Sequence, residues 1–91
     1  MRKKARALIY GLVQGVGLRY SVYRKASQLG ISGFVKNLPD GSVELVAEGE
    51  EDLINELLEY IKTGIRWARV EKIDVEWSEW EGKYRGFEIA F

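Results

Sequence analysis

The chain is 91 residues long, carries 14 basic and 14 acidic side chains, and contains neither histidine nor cysteine. That inventory excludes disulfides, histidine or thiolate metal sites and a histidine general base, and its zero net charge argues against a nucleic-acid partner, because such proteins normally carry a basic excess. No apolar run approaches the roughly 18 residues of a membrane-spanning helix, and the N-terminus lacks the apolar segment of a secretory signal. A cytoplasmic protein with no membrane partner, folded as one small domain over residues 1–91, is expected.

The basic cluster Arg2-Lys3-Lys4-Arg6 reads as a solvated strand start, and residues 5–12 as the first strand, apolar at both parities as a central strand requires. A glycine-rich loop follows. From Leu18, the apolar positions Leu18, Val22, Ala26 and Leu29 recur at helical spacing, and Gly30 stops that helix. Ile31 to Leu38 and Ser42 to Glu48 predict a hairpin around Pro39-Asp40-Gly41, with Val43, Leu45 and Ala47 facing one way and Glu44 and Glu48 the other. Gly49 is expected to break the third strand. Glu50-Glu51-Asp52 then put negative charge where a helix dipole favours it, and Leu53, Ile54, Leu57, Leu58 and Ile61 form one apolar stripe that Gly64 ends.

Residues 66–77 predict a fourth strand with Ile73, Val75 and Trp77 on one face; Val70 falls out of phase, which predicts a bulge or a late start. After a polar loop over 78–85, Phe87, Ile89 and Phe91 alternate in a short last strand. The order β-α-β-β-α-β plus a final strand is the α+β, ferredoxin-like pattern, a mostly antiparallel sheet with its helices on one face.

The chemistry concentrates in Gly11-Leu12-Val13-Gln14-Gly15-Val16-Gly17-Leu18-Arg19. Glycine lets the backbone take positive φ and approach a ligand closely. A loop feeding a helix start points free N–H groups at an anion, and Arg19 adds a planar, permanently charged fork. A cation at a helix N-terminus opposes the helix dipole, so its placement calls for an anionic partner. The stretch lacks the Gly-Lys-[Ser/Thr] ending of a nucleoside-triphosphate loop. It also fails the dinucleotide fingerprint at the last glycine, and no parallel β-α-β unit accompanies it. An oxyanion cradle between strand and helix is predicted.

Two stretches in order resemble the acylphosphatase family. Gly11-x-Val13-Gln14-Gly15-Val16-Gly17-x-Arg19 is similar to its first signature, and Gly33-Phe34-Val35-Lys36-Asn37-Leu38-Pro39-Asp40-Gly41-Ser42-Val43-Glu44 to its second. Ala68-Arg69-Val70 and Gly86-Phe87-x-Ile89 also fit, so the likeness covers nearly the whole chain. The resemblance implies hydrolysis of the carboxyl–phosphate bond of a small-molecule acyl phosphate to carboxylate and inorganic phosphate, with no metal and no cofactor. It implies Arg19 as the phosphate-binding arginine and Asn37 as the residue that positions the attacking water. It further implies Gln14, Gly15, Val16, Gly17 and Leu18, with Arg19, as the phosphate cradle. That chemistry suits the composition: a carboxylate leaving group, whose conjugate acid has a pKa of about 4–5, departs without a general acid.

Around this site, Gln14 is read as loop scaffolding that offers a backbone N–H, and Ser42 as either a hydroxyl brace for Asn37 or a solvent-facing strand residue. The terminal carboxylate at Phe91 is expected to lie near Arg19 and orient it, and the tryptophans to pack in the core or on its rim. Leu18 stands where the family usually has Phe, Leu12 where a basic or polar residue is common, and Ile65-Arg66-Trp67 where a Pro-containing turn is frequent. Two other readings compete. One is an anion-binding or regulatory module without turnover, including an RNA-binding domain with Phe34 as its stacking residue. The other is the similar domain that begins the large carbamoyltransferase of hydrogenase maturation. With no Cys-rich segment after Phe91, a stand-alone monomeric enzyme is expected.

Overall fold

Period-two and period-3.6 patterns resolve into seven elements: β1 (Arg2–Leu12), α1 (Leu18–Gln28), β2 (Ser32–Asn37), β3 (Val43–Glu50), α2 (Glu51–Thr63), β4 (Arg69–Glu79) and β5 (Phe87–Ala90). The computed structural model describes residues 1–91. One sheet runs in the order β4-β1-β3-β2-β5, antiparallel throughout except for the parallel pair β2–β5. This is the predicted ferredoxin-like α+β architecture. Ala5, Ala7 and Ile9 of β1, Val35 of β2 and Val43, Leu45 and Ala47 of β3 meet Leu18, Val22 and Ala26 of α1 and Ile54, Leu57, Leu58 and Ile61 of α2 in one core. Helix α1 ends as expected: Gly30 is left-handed at φ 71°, the Ile31 N–H donates to the Ala26 carbonyl at 2.9 Å, and the Gly30 N–H donates to the Ser27 carbonyl at 3.2 Å. No helix is long and apolar enough to cross a membrane.

Several boundaries move, each for a physical reason. Strand β1 begins at Arg2 rather than residue 5, because its basic start is flanked by acids: Arg2 faces Glu50 at 3.9 Å, Lys3 faces Glu79 at 3.8 Å and Lys4 faces Glu81 at 2.6 Å. Gly49 does not break β3. The longer β1 supplies ladder partners beyond it, with Lys3 opposite Gly49 and Arg2 opposite Glu50. Strand β4 starts late, at Arg69, and also carries the bulge: Tyr10 pairs with Lys72 and Gly11 with Val70, leaving Glu71 unmatched. At Gly11 a Cβ would collide with the Arg69 carbonyl, so the bulge requires glycine there.

The largest departure concerns Glu48, which is expected on the open face and is instead only 2% exposed. Strands β4 and β5 stand at opposite edges of the sheet, so residues 80–86 must cross it. The crossing strap touches each inner strand in turn: Glu81 with Lys4 of β1, and the backbone of 81–83 with Glu48 of β3. Tyr84 then meets Phe34 of β2 edge-on, with ring centroids 5.9 Å apart. The Glu48 carboxylate accepts the N–H groups of Glu81 at 2.7 Å, Gly82 at 3.2 Å and Lys83 at 3.0 Å. The strap thereby delivers β5 beside β2, and it occupies Phe34, the residue that an RNA-binding reading needs free. Glu48→Ala is expected to lower the unfolding free energy by about 2–3 kcal/mol in urea titrations, whereas Glu81→Ala, which removes only an exposed pair, is expected to leave it nearly unchanged.

Candidate active site

Strand β1 and helix α1 are joined by residues 13–17, and the local geometry follows from the glycines. Gly15 and Gly17 are left-handed, at φ 76° and 79°, a conformation strained for any residue with a Cβ. The space above both is open, since a Cβ at either would meet no atom within 4 Å. Gly17 is the N-cap of α1 and brings no capping side chain, and the first turn holds no acid. The first helical bond runs from the Ser21 N–H to the Gly17 carbonyl at 3.1 Å, and no backbone N–H from Gln14 through Tyr20 is spent on a protein acceptor. Beside this run stands Arg19, half-buried and in no ion pair with any carboxylate. The predicted cradle residues Gln14, Gly15, Val16, Gly17, Leu18 and Arg19 thus lie together on one loop and one helical turn.

The substituted positions differ in consequence. Leu18 is 1% exposed and packs in the core, so it fills the space behind the cradle and anchors the turn that carries Arg19. Leu12 remains on the surface, as does Trp67.

Asn37 closes β2 opposite Val43. Its Oδ1 is fully shielded and has no hydrogen-bond partner, the sole buried side-chain polar atom in that condition. An orphaned acceptor of this kind costs about 1–3 kcal/mol and calls for an explanation beyond folding. The turn that follows is well satisfied: the Leu38 N–H donates to the Ser42 carbonyl at 2.9 Å and the Gly41 N–H to the Leu38 carbonyl at 3.2 Å. Both readings of Ser42 are corrected. It is buried rather than solvent-facing, and its hydroxyl donates at 2.5 Å to Asp40 Oδ1, which also accepts the Ser42 N–H at 2.9 Å, rather than to Asn37. A carboxylate two residues back outcompetes a side chain across the turn.

What joins the two halves is Gln14. Its Nε2 donates to the carbonyls of Leu38 and Ser42, both at 2.8 Å, latching the cradle onto the turn after Asn37. Scaffolding is the role expected of Gln14; the latch to this particular turn is visible only in three dimensions. A second junction comes from β5. It runs parallel to β2 with Lys36 opposite Ala90, so the next residues along each strand, Asn37 and Phe91, emerge side by side. The Arg19 guanidinium carbon lies 5.4 Å from the centroid of the Phe91 ring. The ring, not the terminal carboxylate, faces Arg19; no ion pair forms between them, which corrects the expected carboxylate contact.

The site is an open shelf rather than a cavity. The largest concavity, about 350 Å³, lies under the crossing strap and is lined by Arg2, Glu48, Glu50 and Trp80 among others, away from Arg19 and Asn37. No group of three or more His, Cys, Asp or Glu side chains converges to hold a metal ion.

The acylphosphatase family model matches residues 5–89. The chain belongs to the acylphosphatase family. An acylphosphatase of Caldanaerobacter subterraneus subsp. tengcongensis is 57% identical over 89 residues, covering 98% of this chain and 99% of the relative. The crystal structure of acylphosphatase from Bacillus subtilis matches with a TM-score of 0.93 at 36% identity, over 100% of both chains. Full-length HypF, solved in a phosphate- and nucleotide-bound form, matches with a TM-score of 0.90 at 28% identity; the match spans 100% of this chain but 12% of that one.

The turn beside Asn37 has a pH signature. The Ser42 hydroxyl, and then the Ser42 N–H, hold the Asp40 carboxyl below its ordinary range. A depressed folded-state pKa contributes stability that is complete above the unfolded value of about 3.9 and is lost as pH falls through the lower folded value. The Tm difference between the parent and Asp40→Ala is therefore expected to be full at neutral pH and to shrink progressively below about pH 4, as read by thermal unfolding across a pH series.

Proposed function

We propose that this chain hydrolyses acyl phosphates, with Arg19 and the N–H groups of Gln14 to Leu18 holding the phosphoryl oxygens and Asn37 orienting the water. The observation that carries this reading is the run of unspent N–H groups beside an arginine without an acidic partner. Such donors suit an anion in both number and sign. Family membership supports the same reaction.

In the proposed step, the water oxygen attacks phosphorus in line with the bond to the acyl oxygen. That P–O bond breaks, its electron pair leaves on the carboxylate, and the water proton passes to a phosphoryl oxygen of the substrate. The transition state of phosphoryl transfer is loose, so the protein's contribution is positioning and charge stabilisation. Arg19 and the cradle amides are preorganised for the charge on the equatorial oxygens. The Asn37 amide makes no hydrogen bond within the protein, and its broad terminal torsion lets either end turn to a water. An amide is too weakly basic to take the proton, which is why the substrate must accept it. The leaving carboxylate needs no acid, so no histidine is required.

Benzoyl phosphate hydrolysis tests the proposal. Turnover is expected to persist in the presence of a chelator and to be competed by inorganic phosphate. Arg19→Gln is expected to lower kcat/KM by about 100-fold or more and to abolish phosphate competition. Asn37→Ala is expected to lower kcat comparably while the phosphate inhibition constant stays within about twofold. If Asn37→Ala lost phosphate affinity as severely as Arg19→Gln, the division of roles would be wrong. Phosphate binding without turnover in the parent protein would favour the anion-binding module instead.

A further inference from the structure

Hydrolysis at phosphorus leaves the acyl chain to be accounted for. In-line attack breaks the P–O bond on the side of phosphorus opposite the incoming water, so a water held at Asn37 sends the acyl group away from β2. The sheet order β4-β1-β3-β2-β5 puts the start of β4 on that far side. There Leu12, the residue just before the cradle, pairs with Arg69. The connection from α2 into β4 is Ile65-Arg66-Trp67, where this chain departs from a Pro-containing turn, and the proposed reaction gives it no part.

The connection is anchored at one residue and exposed at the next two. Ile65 belongs to the core, and the Ala68 N–H donates to its carbonyl at 3.3 Å, closing a turn whose two central residues, Arg66 and Trp67, are exposed. The Arg66 guanidinium carbon lies 5.1 Å from the centroid of the Trp67 ring, a contact that restrains the cation and leaves the N–H groups at its edge free. At the bulge the Arg69 carbonyl packs against Gly11, which holds the Arg69 backbone beside the end of β1. Neither arginine has a carboxylate partner, whereas the N-terminal ammonium, Arg2, Lys3 and Lys4, at the opposite end of β1, are all paired. In a chain of zero net charge, positive charge is thus left unneutralised beside the cradle, where it attracts anions.

We propose that Arg66 and Arg69 form a subsite for a second anionic group, carried on the acyl chain of the substrate, and that the protein prefers acyl phosphates bearing such a group over neutral ones. The inference deepens the proposed function and rests on it, because it needs the phosphoryl group in the cradle and the water at Asn37. Two planar guanidinium forks suit a carboxylate. They meet a part of the substrate that does not change on the way to the transition state, so the subsite acts on KM rather than on kcat. Arg66 and Arg69 are specificity residues and take no part in bond breaking.

The experiment compares kcat and KM for 4-carboxybenzoyl phosphate and 4-carbamoylbenzoyl phosphate, rigid substrates of nearly equal size that differ in the charge of the distal group. The parent is expected to favour the carboxylate by about three- to tenfold in kcat/KM, the span of two exposed ion pairs, through a lower KM. In the double variant Arg66→Gln, Arg69→Gln the preference is expected to vanish, the loss falling on KM for the carboxylate. The double variant Lys83→Gln, Arg85→Gln removes the same charge from the strap that crosses the other end of the sheet. It is expected to keep the preference, which separates a local subsite from an effect of net charge. Each preference is a ratio measured within one protein, so a variant's loss of active fraction cancels from it. The inference is overturned if the parent shows no preference, if Arg66→Gln, Arg69→Gln keeps it, or if the strap variant loses it equally. The two readings fail differently. A parent that cleaves neither substrate removes the proposed function and this inference together, whereas a parent that cleaves both equally well removes this inference alone.

Discussion

The carboxylate of Glu48, buried on the open face of the sheet and filled by three backbone N–H groups from the strap over 80–86, holds a crossing on which the rest of the molecule depends. Strands β4 and β5 lie at opposite edges, and the chain between them must span the inner strands. Without an anchor, that span would be a loop over a half-solvated surface. With Glu48 beneath it, the strap has a fixed track, from Lys4 on β1 to Phe34 on β2, and β5 arrives beside β2 in parallel. The position of Phe91 next to Asn37 and against Arg19 is the distant consequence. A charge buried to organise a loop is costly unless its lone pairs are filled, and here backbone donors fill them.

At the other end of the strands the balance is reversed. The β1–α1 loop leaves its N–H groups unspent, caps its helix with a glycine that has no side chain to offer, and puts a cation where the helix dipole disfavours one. Asn37 adds a shielded amide oxygen without a partner. The helix-start cation and the orphaned oxygen oppose stability in the free protein, and under the proposed function a phosphoryl group and a water would relieve them. The surrounding contacts are ordinary and well satisfied: Gln14 bonds twice to the turn, Asp40 takes both donors of Ser42, and Leu18 packs behind the cradle.

Most of the fold was legible in the residues themselves. The stripes of α1 and α2, the hairpin around Pro39-Asp40-Gly41 and the bulge announced by Val70 all follow from local periodicity and turn chemistry, which a short window of sequence contains. Two of the misplacements share one cause. Gly49 reads as a breaker in isolation, yet Lys3 and Arg2 on another strand carry the ladder past it. Glu48 reads as a solvent-facing charge by alternation, yet residues more than thirty positions later cover it. Ser42 shows the reverse: a nearby carboxylate at Asp40 captures its hydroxyl before a longer-range partner can.

The amino-acid sequence by itself determined the order of the elements and the glycine-rich loop beside Arg19. Glycines at 15 and 17, an arginine at 19 and an absence of histidine and cysteine dictate local conformation and available reactivity whatever the chain packs against. Only the tertiary structure decided how the pieces meet: the Gln14 latch that ties the cradle to the turn after Asn37, the strap that crosses over Glu48, and the aromatic ring rather than a carboxylate beside Arg19. Those contacts join residues distant in sequence, and they depend on strand order and register, which no local pattern encodes.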